Sequence, residues 1–290
     1  MNQQLEQRGF FAAPLSLSWY HDILRENVTR SRFVIPAPEG AFALLCGNSK
    51  AAWPHFAAWC ATRLSRSVAA DSNENCVAED DALLHRLGTD PFEDFSREVI
   101  GTAASFAFTR ALSSDRNRIS STRSLQPPII RWAAYTEEES ELLAAQHMAR
   151  AAAIAFLDVD SYLCVHPHFG PWFALRGALV FGDIKGPSEV ERLRSFEIPK
   201  DPLDDAARER VRLAMELAVS VAGDYTGGVD AGGASRGVTD DRWRYWLAVR
   251  DAVAPQHPQR YSERQIEYHY TKDRRVLLDL ASSSRGSRAI

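Results

Sequence analysis

The chain has 290 residues, 45% of them hydrophobic and 25% charged, with a formal net charge of −4. This is the composition of an ordinary globular protein long enough to bury its own core. The acidic balance excludes a general basic field for nucleic acid or an anionic membrane, and the apolar stretches at 151–157 and 172–181 are too short or interrupted to span a bilayer.

The first residues, Met1 to Glu6, lack the cationic and apolar regions of a secretory signal. The N-terminal third reads as irregular, up to the run Pro36-Ala37-Pro38-Glu39-Gly40, which marks a turn before a short buried strand at 41–46. Residues 110–131 turn polar and are expected as a long surface loop. Thr136 with Glu139 makes a capping box. It predicts a helix whose apolar face carries Leu143, His147, Ala151 and Ile154, ending near Leu157. Residues 161–166 and 172–181 read as two strands of a hairpin joined by His166-Pro167-His168-Phe169-Gly170-Pro171. The stretch 184–200 reads as loop, 203–222 as an amphipathic helix, and the Gly-rich 223–237 as a flexible connection. Residues 242–281 are expected to be mostly helical and 282–290 to be a disordered tail. Strands and helices do not alternate as βαβ, which predicts an α+β fold in a single domain over 1–281.

The four cysteines, Cys46, Cys60, Cys76 and Cys164, form no C-x-x-C pair. They are expected as reduced thiols of a cytoplasmic protein, not as a zinc site or redox dithiol. Thirty arginines stand against four lysines, so an arginine in apolar surroundings needs a reason. On a strand over 172–181, strict alternation puts Trp172, Ala174, Arg176, Ala178 and Val180 on one face. Phe173, Leu175, Leu179 and Phe181 fall on the other. Arg176 then needs either an internal carboxylate or an anionic ligand. His166 and His168 make an H-x-H pair, but a metal site needs a third ligand and Pro167 breaks the strand, so no metal is expected. His147 reads as a core histidine or a ligand contact. Arg250 is followed by Asp251, which by itself suggests local charge balance, and Arg274 reads as a helix surface residue. No nucleophile elbow, Walker loop, H-E-x-x-H or kinase motif is present.

The segment C-V-H-P-H-F-G-P-W-F-A-L-R-G at 164–177 resembles the CblC family of cobalamin-trafficking proteins, whose counterpart reads C-I-H-P-R-F-G-G-W-F-A-I-R-G. A second block, Arg250-Asp251-Ala252-Val253 through Arg260-Tyr261-Ser262-Glu263-Arg264-Gln265, is similar to that family's R-D-A-V-T-P-Q…R-Y-S-E-E-Q. Gly9-Phe10, Trp19-Tyr20 and Pro36-x-Pro38-x-Gly40 follow its pattern more loosely. The resemblance implies a flavin-nitroreductase-like α+β sandwich with an antiparallel sheet and flanking helices. It implies base-off cobalamin binding and removal of the upper axial ligand: glutathione-dependent dealkylation of alkylcobalamins and reductive decyanation of cyanocobalamin, with a flavin (FMN or FAD) able to supply the electron. The D-x-H-x-x-G motif of proteins that ligate cobalt through histidine is absent, in keeping with base-off binding.

By the same resemblance Arg176, Arg250 and Arg274 fall on the glutathione-binding arginines. His147, Ser161 and Trp172, with Arg176, fall on positions beside the cobalamin. The family's tyrosine-rich stretch is replaced by Ala153-Ile154-Ala155-Phe156, and its dimerisation segment is not recognisable near 126–131, which leaves flavin use and oligomeric state open. Implied partners are cobalamin, glutathione and a downstream cobalamin-trafficking protein. Two other readings stay open: a cobalamin chaperone with little turnover, and a flavin-dependent reductase on the same fold.

Overall fold

The computed structural model describes residues 1–25, 32–38, 40–65, 84–115, 126–133, 142–185, 199–222 and 241–286. A four-stranded antiparallel sheet is its centre. β1 (Phe10–Ser16), β2 (Ala41–Ser49), β3 (Ile129–Trp132) and β6 (Phe173–Lys185) lie in the order β1-β2-β6-β3. A separate two-stranded ladder joins β4 (Phe156–Leu157) to β5 (Cys164–Val165). The mixture of helices with antiparallel strands bears out the α+β expectation.

Helices cover both faces of the sheet. On one side pack α1 (Asn2–Glu6), α3 (Ala52–Ser65), α4 (Pro91–Asp115), α8 (Glu263–Thr271) and α9 (Arg275–Gly286). They bring Leu5, Phe56, Phe95, Tyr268 and Leu277 onto Cys46 and Leu179. On the other side, α2 (Leu17–Arg25) and α5 (Ala145–Ala151) bury Tyr20, Leu24 and Met148 against Leu45, Ala178 and Val180. A third cluster joins α6 (Asp205–Ala222) to α7 (Trp243–Val253) through Val211, Ala218, Val249 and Val253.

Local chemistry explains most element ends. Pro91 opens α4, where its missing N–H costs nothing, and the Asp90 carboxylate accepts the Glu93 N–H at 3.2 Å. Asp204 caps α6 by accepting the Ala207 N–H at 2.7 Å. Ser262 caps α8, and Lys272 ends it with φ 54°. Gly9, at φ 76°, turns the chain from α1 into β1 where any Cβ would strike the backbone of Ala51 and Ala52.

Several sequence expectations are corrected. Most described residues of the N-terminal third lie in regular elements; β1 was hidden because it contains Pro14, which an edge strand tolerates. The polar stretch at 110–131 carries the end of α4 through Asp115 and the first three residues of β3. The capping box Thr136/Glu139 lies outside the described residues, as does the Gly-rich segment 223–237. The helix carrying His147 spans only Ala145–Ala151, because Ala153 takes φ 53° and ends it; Leu143 and Ile154 are off the helix. No hairpin joins the two predicted strands: β5 pairs with β4, and β6 pairs with β2 and β3. Strand β6 reaches Lys185, two residues into the expected loop, and α9 runs through Gly286, into the expected tail.

The alternation along β6 also breaks. Cys46 pairs with Gly177 and Gly47 with Leu175, so Arg176 is the extra residue of a β-bulge. Beyond the bulge the faces exchange. Ala178 and Val180 join Phe173 and Leu175 in the α2/α5 core, while Leu179 and Phe181 belong to the opposite core. Arg176 faces α4 on that opposite side, with Phe92 and Glu93.

Candidate functional site

A pocket of about 550 Å³ opens beside the start of β6. His147 from α5, Tyr162, Cys164, Phe173 and Leu175 line it, with Arg250 from α7. Its wall is mostly apolar with a few polar groups, the usual make-up of a small-molecule site. His147 is buried at 7% exposure. Burial pushes the Cys164 thiol up to about 12, so it stays protonated. Tyr162 was not singled out from the sequence. It is 56% exposed on the pocket rim and holds φ 56°, a conformation costly for a bulky residue.

Arg250 is half-buried and has no ion pair among the described residues. Its sequence neighbour Asp251 does not balance it. Asp251 takes Arg260 instead, with Nε and Nη2 donating to its two carboxylate oxygens at 2.9 and 3.1 Å, and Glu263 also binds Arg260. The Arg250 guanidinium lies 5.9 Å from the Trp172 ring centroid, on the pocket wall. This overturns the expectation of local charge balance.

Arg176 sits behind the same wall. Its Nε donates to Asn48 Oδ1 at 2.7 Å, and its guanidinium rests over Phe92 at 4.7 Å. The nearest carboxylate, Glu93, is 3.9 Å away and is held more closely by Arg97 at 3.0 Å. Among the described residues the charge is therefore cradled by a neutral amide and an aromatic face, with Glu93 only at the outer limit of an ion pair. Arg176 and Arg250 converge on a shared neighbourhood, because both influence Tyr261 and His269. Burial raises the Tyr261 hydroxyl, and the two arginines oppose that rise. Burial drives His269 well below its ordinary range, and Arg176, Lys272 and Arg250 reinforce the fall, so it is a neutral imidazole.

The remaining predicted residues fall in different places. Trp172 is fully buried and packs edge to face on Tyr261. The Ser161 hydroxyl donates to the buried Asp158 carboxylate at 2.5 Å, and its backbone N–H does so at 3.1 Å. It stabilises the turn leading to Tyr162 and is not on the pocket wall. Arg274 is engaged elsewhere: its Nη1 donates to the carbonyls of Leu84 at 2.9 Å and Gly88 at 2.8 Å. With Lys272, which binds Asp90 at 2.9 Å, it pins the segment entering α4, and so the seat of Phe92 and Glu93. His166 accepts the backbone N–H groups of His168 and Phe169 on Nδ1, at 3.0 and 3.3 Å. It is the internal brace of a turn, and no group of three metal-ligating side chains occurs among the described residues.

Three comparisons bear on what this arrangement is. No protein-family model matches the chain. Human cyanocobalamin reductase / alkylcobalamin dealkylase is 32% identical over 126 residues, covering 43% of this chain and 34% of the human protein. The zebrafish (Danio rerio) protein of the same name is 29% identical over 118 residues, covering 40% and 35%. The chain thus spans about a third of the length of the curated relatives it matches. The crystal structure of a C. elegans B12-trafficking protein, CblC, superposes with a TM-score of 0.59 at 18% identity, covering 96% of this chain and 93% of that one. At that identity the match speaks for the fold. The resemblance to the CblC family is therefore borne out, by sequence over two fifths of the chain and by fold over nearly all of it.

Proposed function

We propose that this protein binds a corrinoid at the His147 pocket and removes its upper axial ligand, passing an alkyl group to the thiolate of glutathione. The observation that carries this reading is Arg250: a half-buried guanidinium on the pocket wall with no ion pair among the described residues, beside an aspartate that is already taken. Such a cation suits an anionic ligand, and a peptide carboxylate matches its fork.

In the dealkylation the glutathione sulfur forms a bond to the cobalt-bound carbon. The cobalt–carbon bond breaks with its electron pair going to cobalt, giving a thioether and cob(I)alamin. This chain contributes three things to that step. Arg250 holds a carboxylate of the peptide and orients the sulfur. Arg250 and Arg176 together favour the ionised thiol, because nearby cations lower a thiol pKa. The apolar wall of Phe173 and Leu175 keeps water from the reacting carbon. Arg274 acts at a distance, by fixing the α4 entry on which Arg176 rests.

For cyanocobalamin, base-off binding favours reduction at cobalt with loss of cyanide, the electron coming from an external reductant. A nitroreductase-like architecture and a bound flavin remain part of the family reading. Here, however, the family's tyrosine-rich stretch is Ala153 to Phe156, with Ala155 fully buried and Ile154 packed in the α2/α5 core. Those side chains offer a flavin no polar contact. A cytoplasmic setting and hand-over to a downstream trafficking protein belong to the same reading.

An anaerobic absorbance titration tests it. Methylcobalamin added to the protein should shift to the base-off spectrum, and glutathione should then convert it towards cob(I)alamin. A shift that ignores glutathione would leave a chaperone, and no shift would remove cobalamin from the reading.

A further inference from the structure

Two buried donors sit side by side behind the pocket wall. Trp172 is fully buried and Tyr261 is 4% exposed, and their rings meet edge to face with centroids 5.5 Å apart. Neither the Trp172 Nε1–H nor the Tyr261 hydroxyl has a hydrogen-bond partner among the described residues. Leaving a buried polar group unsatisfied is costly, and folded proteins rarely retain one without a use. Packing alone does not require these polar ends. Trp243, Leu247 and Ile266, which share the cluster, are apolar over most or all of their surface, and phenylalanine would fill Tyr261's place.

The surroundings indicate what the pair would bind. Arg250 and Arg260 lie 5.9 and 5.3 Å from the Trp172 ring centroid. Arg260 is neutralised by Asp251 and Glu263, whereas Arg250 is not. Arg176 and Arg250 both reach Tyr261 electrostatically. A guanidinium has no lone pair to offer, and the Asp251 and Glu263 carboxylates are taken by Arg260, so the two donors sit unpaired in the neighbourhood of the Arg250 cation. The complement of that set is an anion with at least two acceptor atoms.

We infer that Trp172 and Tyr261 form a buried donor pair that hydrogen-bonds a carboxylate of the thiol substrate alongside Arg250, making Tyr261 a further substrate-positioning residue. This rests on the glutathione reading above. It adds that the peptide carboxylate reaches past the pocket wall to the Trp172–Tyr261 contact. Any peptide thiol with a suitably placed carboxylate would share this anchor, and a neutral thiol such as 2-mercaptoethanol would not.

The experiment compares wild type with Tyr261→Phe, which keeps the ring and removes the donor. Calorimetric titration with glutathione should show roughly five- to twentyfold weaker binding, the effect of losing one hydrogen bond to a charged group. The steady-state KM for glutathione should rise more than kcat falls. The base-off spectrum with methylcobalamin, and dealkylation by 2-mercaptoethanol, should not change. Unchanged glutathione affinity in Tyr261→Phe would overturn the proposal. A second arm uses formate as a bare carboxylate, with chloride at matched ionic strength as control. Formate should raise the melting temperature of wild type more than that of Tyr261→Phe. If wild type binds no glutathione, the thiol reading fails, and the formate arm alone decides whether the pair is an anion site. An equal response of the two proteins to formate would overturn that as well.

Discussion

Asn48 Oδ1 accepts the Nε–H of Arg176 at 2.7 Å, linking the two central strands of the sheet at the β-bulge. Asn48 is fully buried, and its own Nδ2 donates to the Ser49 carbonyl at 3.2 Å. The amide orients the guanidinium without cancelling its charge. Asn48→Ala should cost about 1–3 kcal/mol in urea unfolding, because a buried charged donor loses its acceptor. Asn48→Asp should retain more stability yet raise the KM for glutathione further, because a carboxylate would neutralise Arg176. A KM for Asn48→Asp equal to that of wild type would show that the charge of Arg176 is not used.

The three arginines of the family pattern should separate into two classes. Arg274→Ala loses two hydrogen bonds to carbonyls of the α4 entry and should destabilise the protein by about 2–3 kcal/mol. Arg250→Ala breaks no ion pair among the described residues and should change stability by less than about 1 kcal/mol, while glutathione affinity falls at least tenfold. Denaturation midpoints and thiol titrations on the same samples distinguish them. Equal destabilisation by both would mean that Arg250 is structural.

The His166 turn carries an acid sensitivity whose direction follows from its environment. Burial, with a smaller contribution from His168, lowers the His166 pKa from its ordinary value of 6.5 to about 4, and protonation would end acceptance at Nδ1. The unfolded chain therefore takes up a proton that the folded chain refuses. The stability from this group is complete above pH 6.5 and is lost as pH falls from 6.5 towards 4. The ring is partly exposed, so screening reduces the expected loss to about 1–2 kcal/mol. His166→Asn, whose Oδ1 can accept the same N–H groups without titrating, should unfold in urea with a smaller difference between pH 7 and pH 5. An undiminished difference would place the sensitivity elsewhere.

Gly177 follows the bulge and faces β3. A Cβ there would lie 2.6 Å from the Arg131 carbonyl oxygen and 3.1 Å from the Trp132 ring. Because the obstruction is backbone, Gly177→Ala should push β3 from β6 at a cost of about 2–3 kcal/mol. Amide exchange should quicken at Ile130 and Trp132 if the strand loosens. Slow exchange there with full stability would contradict the clash.

Much of the fold was legible because its cause is local. The helices at 205–222 and 243–286 announce themselves through apolar spacing and caps such as Ser262, and β6 through its run of apolar residues. Strand β1 was not legible, since Pro14 is acceptable only because β1 is an edge, and edge position is a property of the assembled sheet. The short span of α5 was hidden too, because Ala153 at φ 53° is not a residue that signals a helix end.

The candidate site divides in the same way. The segment around Trp172 and Arg176 and the block from Arg250 to Gln265 were visible as motifs, but their residue types left Arg176 open between an internal carboxylate and an anionic ligand and pointed Arg250 to local charge balance. Which arginine keeps its charge was not visible. Asp251 adjoins Arg250 in sequence but reaches Arg260, because the chain turns back after α7 and brings Arg260 to the aspartate. The face of Arg176 depended on one extra residue in the pairing of β6 with β2, which reverses the alternation that a straight strand would keep. The sequence by itself determined the α+β class, the family resemblance and the stock of cations. Only the tertiary structure decided that Trp172 and Tyr261 touch, that Arg274 braces α4, and that Arg250 lines the pocket without an ion pair among the described residues, because periodicity encodes local conformation whereas pairing between distant segments is set by register and packing.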